Sequence, residues 1–331
     1  MPDEKEFTLD EIKNIHGFIK KSEFYKIYEE FSWPCDKYVW DGNESCFQKV
    51  EENLEYSSEV NKILKVMYSI LYRIYAKLSG SDNTYFEHIK NEDSKFFYTS
   101  LKYWLYDQMI IKGLYDRKFD EIVKGLEEKI KHKIKRSPPK NPCVFNKLTL
   151  DEIKRLKNIY ALYTVLYDNN DNFESCNDNK CKYLEYFGKG LDEIINSINS
   201  CSNNSNQTNY CKEFNEFVDL CKEDNVYAGI SIYDEKTKSN AETAKKYFLF
   251  SEIYKEEQLY IYVKNDKLLN FIKTSNFLSN KSTTIAATSV VGSAIGLSSI
   301  FYYFYKVIYN DIFKHKYYTI IYIKYFSKNL L

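Results

Sequence analysis

Residues 97–110 read FYTSLKYWLYDQMI, and the spacing of their large apolar side chains decides the fold class. Phe97, Leu101, Trp104, Leu105 and Met109 recur at steps of three and four, the repeat of one face of an α-helix, so this segment is expected to bury a broad aromatic face. The same period returns on either side. Val60, Ile63, Leu64, Met67, Ile70, Leu71 and Ile74 form a stripe that the turn Gly80-Ser-Asp-Asn83 ends. Ile122, Val123, Leu126 and Ile130 continue the pattern over residues 120–134. The basic run KIKHKIKR at 129–136 complements the dipole of that helix and reads as a solvated face rather than an anion site. Near the amino terminus, Thr8 and Glu11 fit a capping box, and Leu9, Ile12, Ile15 and Ile19 follow at helical steps. SWPCDKYVWDGNESC, residues 32–46, then breaks the period at Pro34 and Gly42.

Residues 137–143, SPPKNPC, cannot be helical, because Pro138, Pro139 and Pro142 each remove a donor and restrict the preceding residue. This places a linker at 137–148 between an amino-terminal helical subdomain, 1–136, and a second one, 149–225. Thr149 and Glu152 cap the next helix, which carries Ile153, Leu156, Ile159, Tyr160, Tyr163 and Tyr167 on one face. A further helix holds Leu184, Phe187, Leu191, Ile194, Ile195 and Ile198, and a shorter one, 210–221, holds Phe214, Phe217 and Val218. Between these two, NSCSNNSNQTNY at 199–210 is a polar, low-complexity loop with acceptor sequons at Asn203 and Asn206; others lie at Asn43 and Asn280. From 226 to 281 the pattern loosens into a stalk, with LYIYVKNDKLLNFI at 259–272 its one ordered-looking part.

Ser282–Tyr305, STTIAATSVVGSAIGLSSIFYYFY, contains no charge between Lys281 and Lys306. At about 1.5 Å of rise per residue, a helix of this length crosses a hydrocarbon core of roughly 30 Å, and its aromatic end suits the headgroup region. Gly292 and Gly296 form a GxxxG pair, a candidate helix-association face. The expected fold is therefore all-α: a multi-helix, cysteine-containing ectodomain plus one C-terminal transmembrane helix, in contact with membrane lipid, followed by a short tail at 306–331. The charged first thirty or so residues lack the apolar run of a signal peptide, so the late span would have to direct insertion.

Composition narrows the function. Basic and acidic residues balance at 47 each, which argues against nucleic acid as a partner. Arginine is confined to Arg73, Arg117, Arg136 and Arg155, far apart in sequence, so bidentate anion grips are poorly supplied. With only ten glycines, Gly188-Lys-Gly190 lacks the rest of a dinucleotide fingerprint, and no phosphate-binding loop motif occurs. No nucleophile, base or zinc-protease motif appears, and adjacent acids such as Glu127-Glu128 and Glu256-Glu257 diverge on a helix. No enzyme activity and no cofactor are expected. With 32 tyrosines and 22 phenylalanines the core is aromatic-rich.

All eight cysteines, Cys35, Cys46, Cys143, Cys176, Cys181, Cys201, Cys211 and Cys221, precede the uncharged span. An even number on one side of a membrane suits disulfides in an oxidising compartment. Proximity suggests Cys35 with Cys46, and Cys201 or Cys211 with Cys221. Zinc is the poorer reading, since there is no CxxC and His16, His88, His132 and His315 lie far from cysteine pairs. Reduced, buried cysteines in a cytosolic domain form a third reading.

Leu101-Lys-Tyr-Trp-Leu-Tyr-Asp107, Leu150-Asp-Glu-Ile-Lys-Arg-Leu-Lys-Asn-Ile-Tyr160 and the segment TSVVGSAIGLSSIFYYFYK (288–306) resemble the Plasmodium interspersed repeat (PIR) variant antigens, nearest to the vivax-type VIR proteins. The resemblance covers roughly residues 7–306. It implies a helical ectodomain outside the parasite cytosol, in or on the infected red cell, that meets a host protein, a glycan or antibodies in adhesion or immune evasion. Two features depart from it: the tail after Lys306 is unlike the usual family ending, and the export pentapeptide is absent, Leu156 following Arg155 one place too early. The alternative from another class is a membrane-anchored scaffold that binds cytoplasmic partners through a reduced helical domain.

Overall fold

The computed structural model describes residues 8–15, 20, 22–47, 54–80, 84–89, 94–165, 182–202, 208–222, 230–263 and 269. Most of this is helix, and the expected helices lie where the apolar repeats put them. α1 (Leu9–Ile15) begins at a reciprocal capping box in which the Thr8 amide donates to Glu11 Oε2 and the Glu11 amide to Thr8 Oγ1, both at 3.2 Å. α3 (Ser58–Leu78) starts where Ser57 Oγ accepts from the Val60 amide, and the chain leaves it through Gly80 at φ +66°, a left-handed turn suited to glycine. α4 (Ser94–Lys112) contains the opening segment, with Phe97, Leu101, Leu105 and Met109 fully buried.

Between α1 and α3 lies α2 (Glu23–Phe31), capped by Ser22 and burying Phe24, Ile27, Tyr28 and Phe31. Its signals, a serine cap and steps of three and four, are present in the sequence, though no separate helix is expected there from the first stripe alone. α5 (Arg117–Gly125) runs on as a π turn, Leu126–Ile130, and a 3₁₀ turn, Lys131–Lys133. Residues 134–149 have no regular structure, as the prolines require. α6 (Leu150–Val165) opens on the second capping box, Thr149 with Glu152. α7 (Lys182–Cys201) packs along α6, and α8 (Asn209–Lys222) closes the helical body. Gly190 permits the close α6–α7 approach, since a β-carbon there would stand 2.6 Å from the Asn158 carbonyl oxygen. Buried side chains before and after 137–148 belong to one continuous apolar cluster that reaches from Leu9 to Leu269.

The stretch read as a loose stalk departs from an all-α chain. β1 (Ile230–Tyr233), β2 (Tyr247–Tyr254) and β3 (Glu257–Val263) form an antiparallel sheet in the order β1-β3-β2, with the short helix α9 (Lys238–Thr243) between β1 and β2. Tyr254 pairs with Glu257, so β2 and β3 meet in a two-residue hairpin in which Lys255 (φ 49°) and Glu256 (φ 68°) both take left-handed conformations. That geometry matches the strand twist, but it is usually announced by Asn-Gly or Asp-Gly, and Lys-Glu hid it. One face of the sheet, through Ile230, Ile232, Leu249, Leu259, Ile261 and Val263, completes the helical core, and the other carries Tyr233, Phe248, Tyr260 and Tyr262 beside Ala241.

No helix among the described residues is long and apolar enough to cross a membrane. Ser282–Tyr305, Gly292, Gly296 and the tail lie outside the described residues.

Candidate functional site

α4 presents two contrasting environments. It carries buried charge. Lys102 Nζ donates to Glu213 Oε2 and Glu216 Oε2 on α8, each at 2.6 Å, and both Lys102 and Glu213 are buried. The second Glu213 oxygen accepts from Asn146 Nδ2 at 2.8 Å. Burial lowers the Lys102 pKa, but the negative groups around it, led by Glu213 and including Glu216, together outweigh it and leave the ammonium above its ordinary value. Further along α4, Asp107 pairs with Lys157 Nζ at 2.9 Å and accepts from Tyr28 Oη (2.8 Å) and the Leu9 amide (3.0 Å). Burial raises its pKa, opposed mainly by Lys157. Cys143 is a buried free thiol near this cluster, pushed up to about 12 by burial despite Lys102 and Lys131, hence unreactive as a nucleophile. These groups join α4 to α1, α2, α6 and α8, each charge meeting an opposite one.

α4 also borders a groove of about 490 Å³. Trp104, with Nε1 donating to Ser32 Oγ at 3.3 Å, and Gln108 line it from α4. Lys65, Val66 and Ser69 line it from α3. The end of α2 and the loop beyond contribute Phe31, Ser32, Trp33, Pro34 and Cys35, and Phe47 stands at the far end of that loop. Ser69 Oγ is buried and has no hydrogen-bond partner, while its carbonyl accepts from Arg73 Nε at 3.3 Å. One turn on from Ser69, Arg73 is fully buried, donates from Nη1 to the Glu30 carbonyl at 2.9 Å, and leaves Nη2 without a partner.

The rim is held rigid. Cys35 and Cys46 are disulfide-bonded, with Cα atoms 5.1 Å apart, as their proximity suggested. Ser45 Oγ donates to the Cys35 carbonyl at 3.2 Å, Tyr85 Oη to Asp41, and Tyr72 Oη to Glu44. Gly42 and Asn43 turn the loop at φ +61° and 64°. The loop presents Trp40 half-exposed against Tyr38 and Tyr85, and Lys37 Nζ lies over the Trp33 ring.

The second bridge differs from expectation. Cys201, at the end of α7, pairs with Cys211, in the first turn of α8, at a Cα separation of 5.5 Å. Cys211 and Cys221 share α8, and ten residues of helix separate them by about 15 Å, too far for a disulfide. Cys221 is buried near the opposite end of that helix and belongs to neither bridge. Cys176 and Cys181 lie outside the described residues. The arginines are each engaged within the fold: Arg117 with Glu121, Arg136 with Tyr72, Arg155 with Glu193, and Arg73 as above. Among the described residues no group of His, Cys, Asp or Glu is arranged to hold a metal ion.

Comparison with known protein families, with curated proteins and with solved structures returns no match to this chain. The groove was not foreseen from sequence. Its walls come from four separate segments, and the one local signal was Trp33-Pro34-Cys35, aromatic and cysteine residues side by side in a loop.

Proposed function

We propose that this chain is a single-pass membrane recognition protein of the PIR variant-antigen type, whose amino-terminal domain lies outside the parasite cytosol and meets host molecules or antibodies without catalysing a reaction. The observation that carries this reading is the disulfide-stapled loop 35–46 with the aromatic groove beside it. A preformed, partly open apolar site fringed by a few polar groups is the usual form of a binding site. Two disulfides favour an oxidising compartment. The anchor, Ser282–Tyr305, and the family resemblance enter from sequence alone.

Protease treatment of intact infected red cells tests the location: digestion of the large domain is expected, and full protection would favour the cytoplasmic scaffold. Thiol counting on folded full-length protein is the companion measurement. Cys35, Cys46, Cys201 and Cys211 are expected not to react until reductant is added, and eight reactive thiols in a folded chain would remove the extracytoplasmic half of the proposal.

A further inference from the structure

We propose that the groove between the Cys35–Cys46 loop, α3 and α4 receives an aromatic side chain carried next to a carboxylate on a partner polypeptide. This deepens the recognition reading above and rests on it. Size comes first: about 490 Å³ falls within the range of sites that enclose one bulky group and its flanking backbone. The walls come next. Trp33 and Phe47 are partly exposed there, while Trp104 and Phe31 are buried behind them, so the accessible aromatic surface favours an aromatic guest through stacked or edge-to-face contact.

Charge then selects among aromatic guests. Lys65 lines the groove, is exposed, and makes no ion pair among the described residues, and no Asp or Glu lines the groove. A carboxylate on the guest meets Lys65, while a basic partner is disfavoured. The disulfide and the Tyr85–Asp41 bond hold the rim in place beforehand, which lowers the ordering cost of binding.

The chain's own composition provides the probe. It has three tryptophans, of which Trp33 and Trp104 line the groove and Trp40 stands outside it. Full-length protein in detergent micelles, labelled with 5-fluorotryptophan, gives one fluorine resonance for each, with Trp40→Phe assigning the control. It is titrated with indole-3-propionate and, separately, with the neutral indole-3-propionamide. The Trp33 and Trp104 resonances are expected to move along one saturable curve while Trp40 stays, with the propionate binding about fivefold more tightly than the amide. Lys65→Glu, at an exposed position, should abolish that ratio, and Val66→Phe, which fills the groove, should abolish both titrations. A common drift of all three resonances, no movement at all, or equal affinity for the two compounds would overturn the inference. Protease exposure on intact cells reads the location independently. An exposed domain with a silent titration sinks only the groove assignment, and a protected domain with a positive titration sinks only the outward-facing reading.

Discussion

The ion pairs of α4 and the groove beside it bury polar atoms in opposite ways. Lys102 and Asp107 are nearly inaccessible, yet each meets an opposite charge and further hydrogen-bond partners from distant segments. Trp104 and Gln108 look onto a groove whose buried Ser69 hydroxyl meets nothing. A buried charge without partners costs several kcal/mol, so the ion pairs must be complete for the chain to fold at all. One unpartnered hydroxyl costs only about 1–3 kcal/mol, a burden a fold can carry. The buried charges are paired across helices, and the Ser69 hydroxyl beside the groove is not paired.

The sharpest way to break this contrast is to remove Lys102. Lys102→Met leaves Glu213 buried without its cation and is expected to cost about 3–5 kcal/mol in urea unfolding. Lys102→Met with Glu213→Gln should recover much of that loss, because the stranded charge is gone. If the single variant loses under 1 kcal/mol, Lys102 and Glu213 are not the interdependent buried pair described.

The groove answers to its rim. Replacing both Cys35 and Cys46 by serine is expected to cost about 2–3 kcal/mol through the unfolded chain, leaving the helical body folded by circular dichroism. A loss confined to ordering of the 35–46 loop, with α-helical signal intact, would place the bridge in the site and not in the core. Collapse of the helical signal would contradict the separation of groove from core.

Much of the helical body was legible at the level of elements, and little at the level of partners. The capping boxes at Thr8 and Thr149 and the stripes of α3, α4, α6 and α8 were readable because caps and helical faces are local properties of consecutive residues. Lys102, Asp107 and Glu213 looked like ordinary surface charges, since burial depends on which helix faces which. α2 was hidden by proximity to α1. The sheet was hidden because its hairpin uses left-handed Lys255 and Glu256, where no glycine or asparagine marks the turn. The groove is the extreme case, assembled from positions 31 to 108 with no motif to join them.

Alkaline pH probes the buried charges more gently. Tyr160 is fully buried, and burial, then Glu213, raises its pKa well above the ordinary value; Lys102 is raised as well. Above about pH 10 the unfolded chain releases these protons while the folded chain keeps them, so stability falls as pH rises. Each group contributes a slope of about 1.4 kcal/mol per pH unit within that window. Tyr160→Phe, measured by urea unfolding between pH 9.5 and about 11.5, should be less steep by one such slope. An unchanged slope would mean that Tyr160 reaches water in the folded state.

The smallest expected effect compares a bonded and an unbonded buried serine within matched chemistry. Ser69 and Ser100 both sit inside long helices and both are buried, so alanine brings the same gain in helix propensity, roughly 0.5 kcal/mol, at each. Ser100 Oγ donates to the Phe96 carbonyl at 2.9 Å, whereas Ser69 Oγ donates to nothing. Ser100→Ala loses a bond worth about 1 kcal/mol and should be neutral to slightly destabilising. Ser69→Ala loses no bond and removes a desolvated hydroxyl, so it should stabilise the chain by about 0.5–1.5 kcal/mol in the same unfolding assay. Equal changes at the two serines would mean that Ser69 already has a partner.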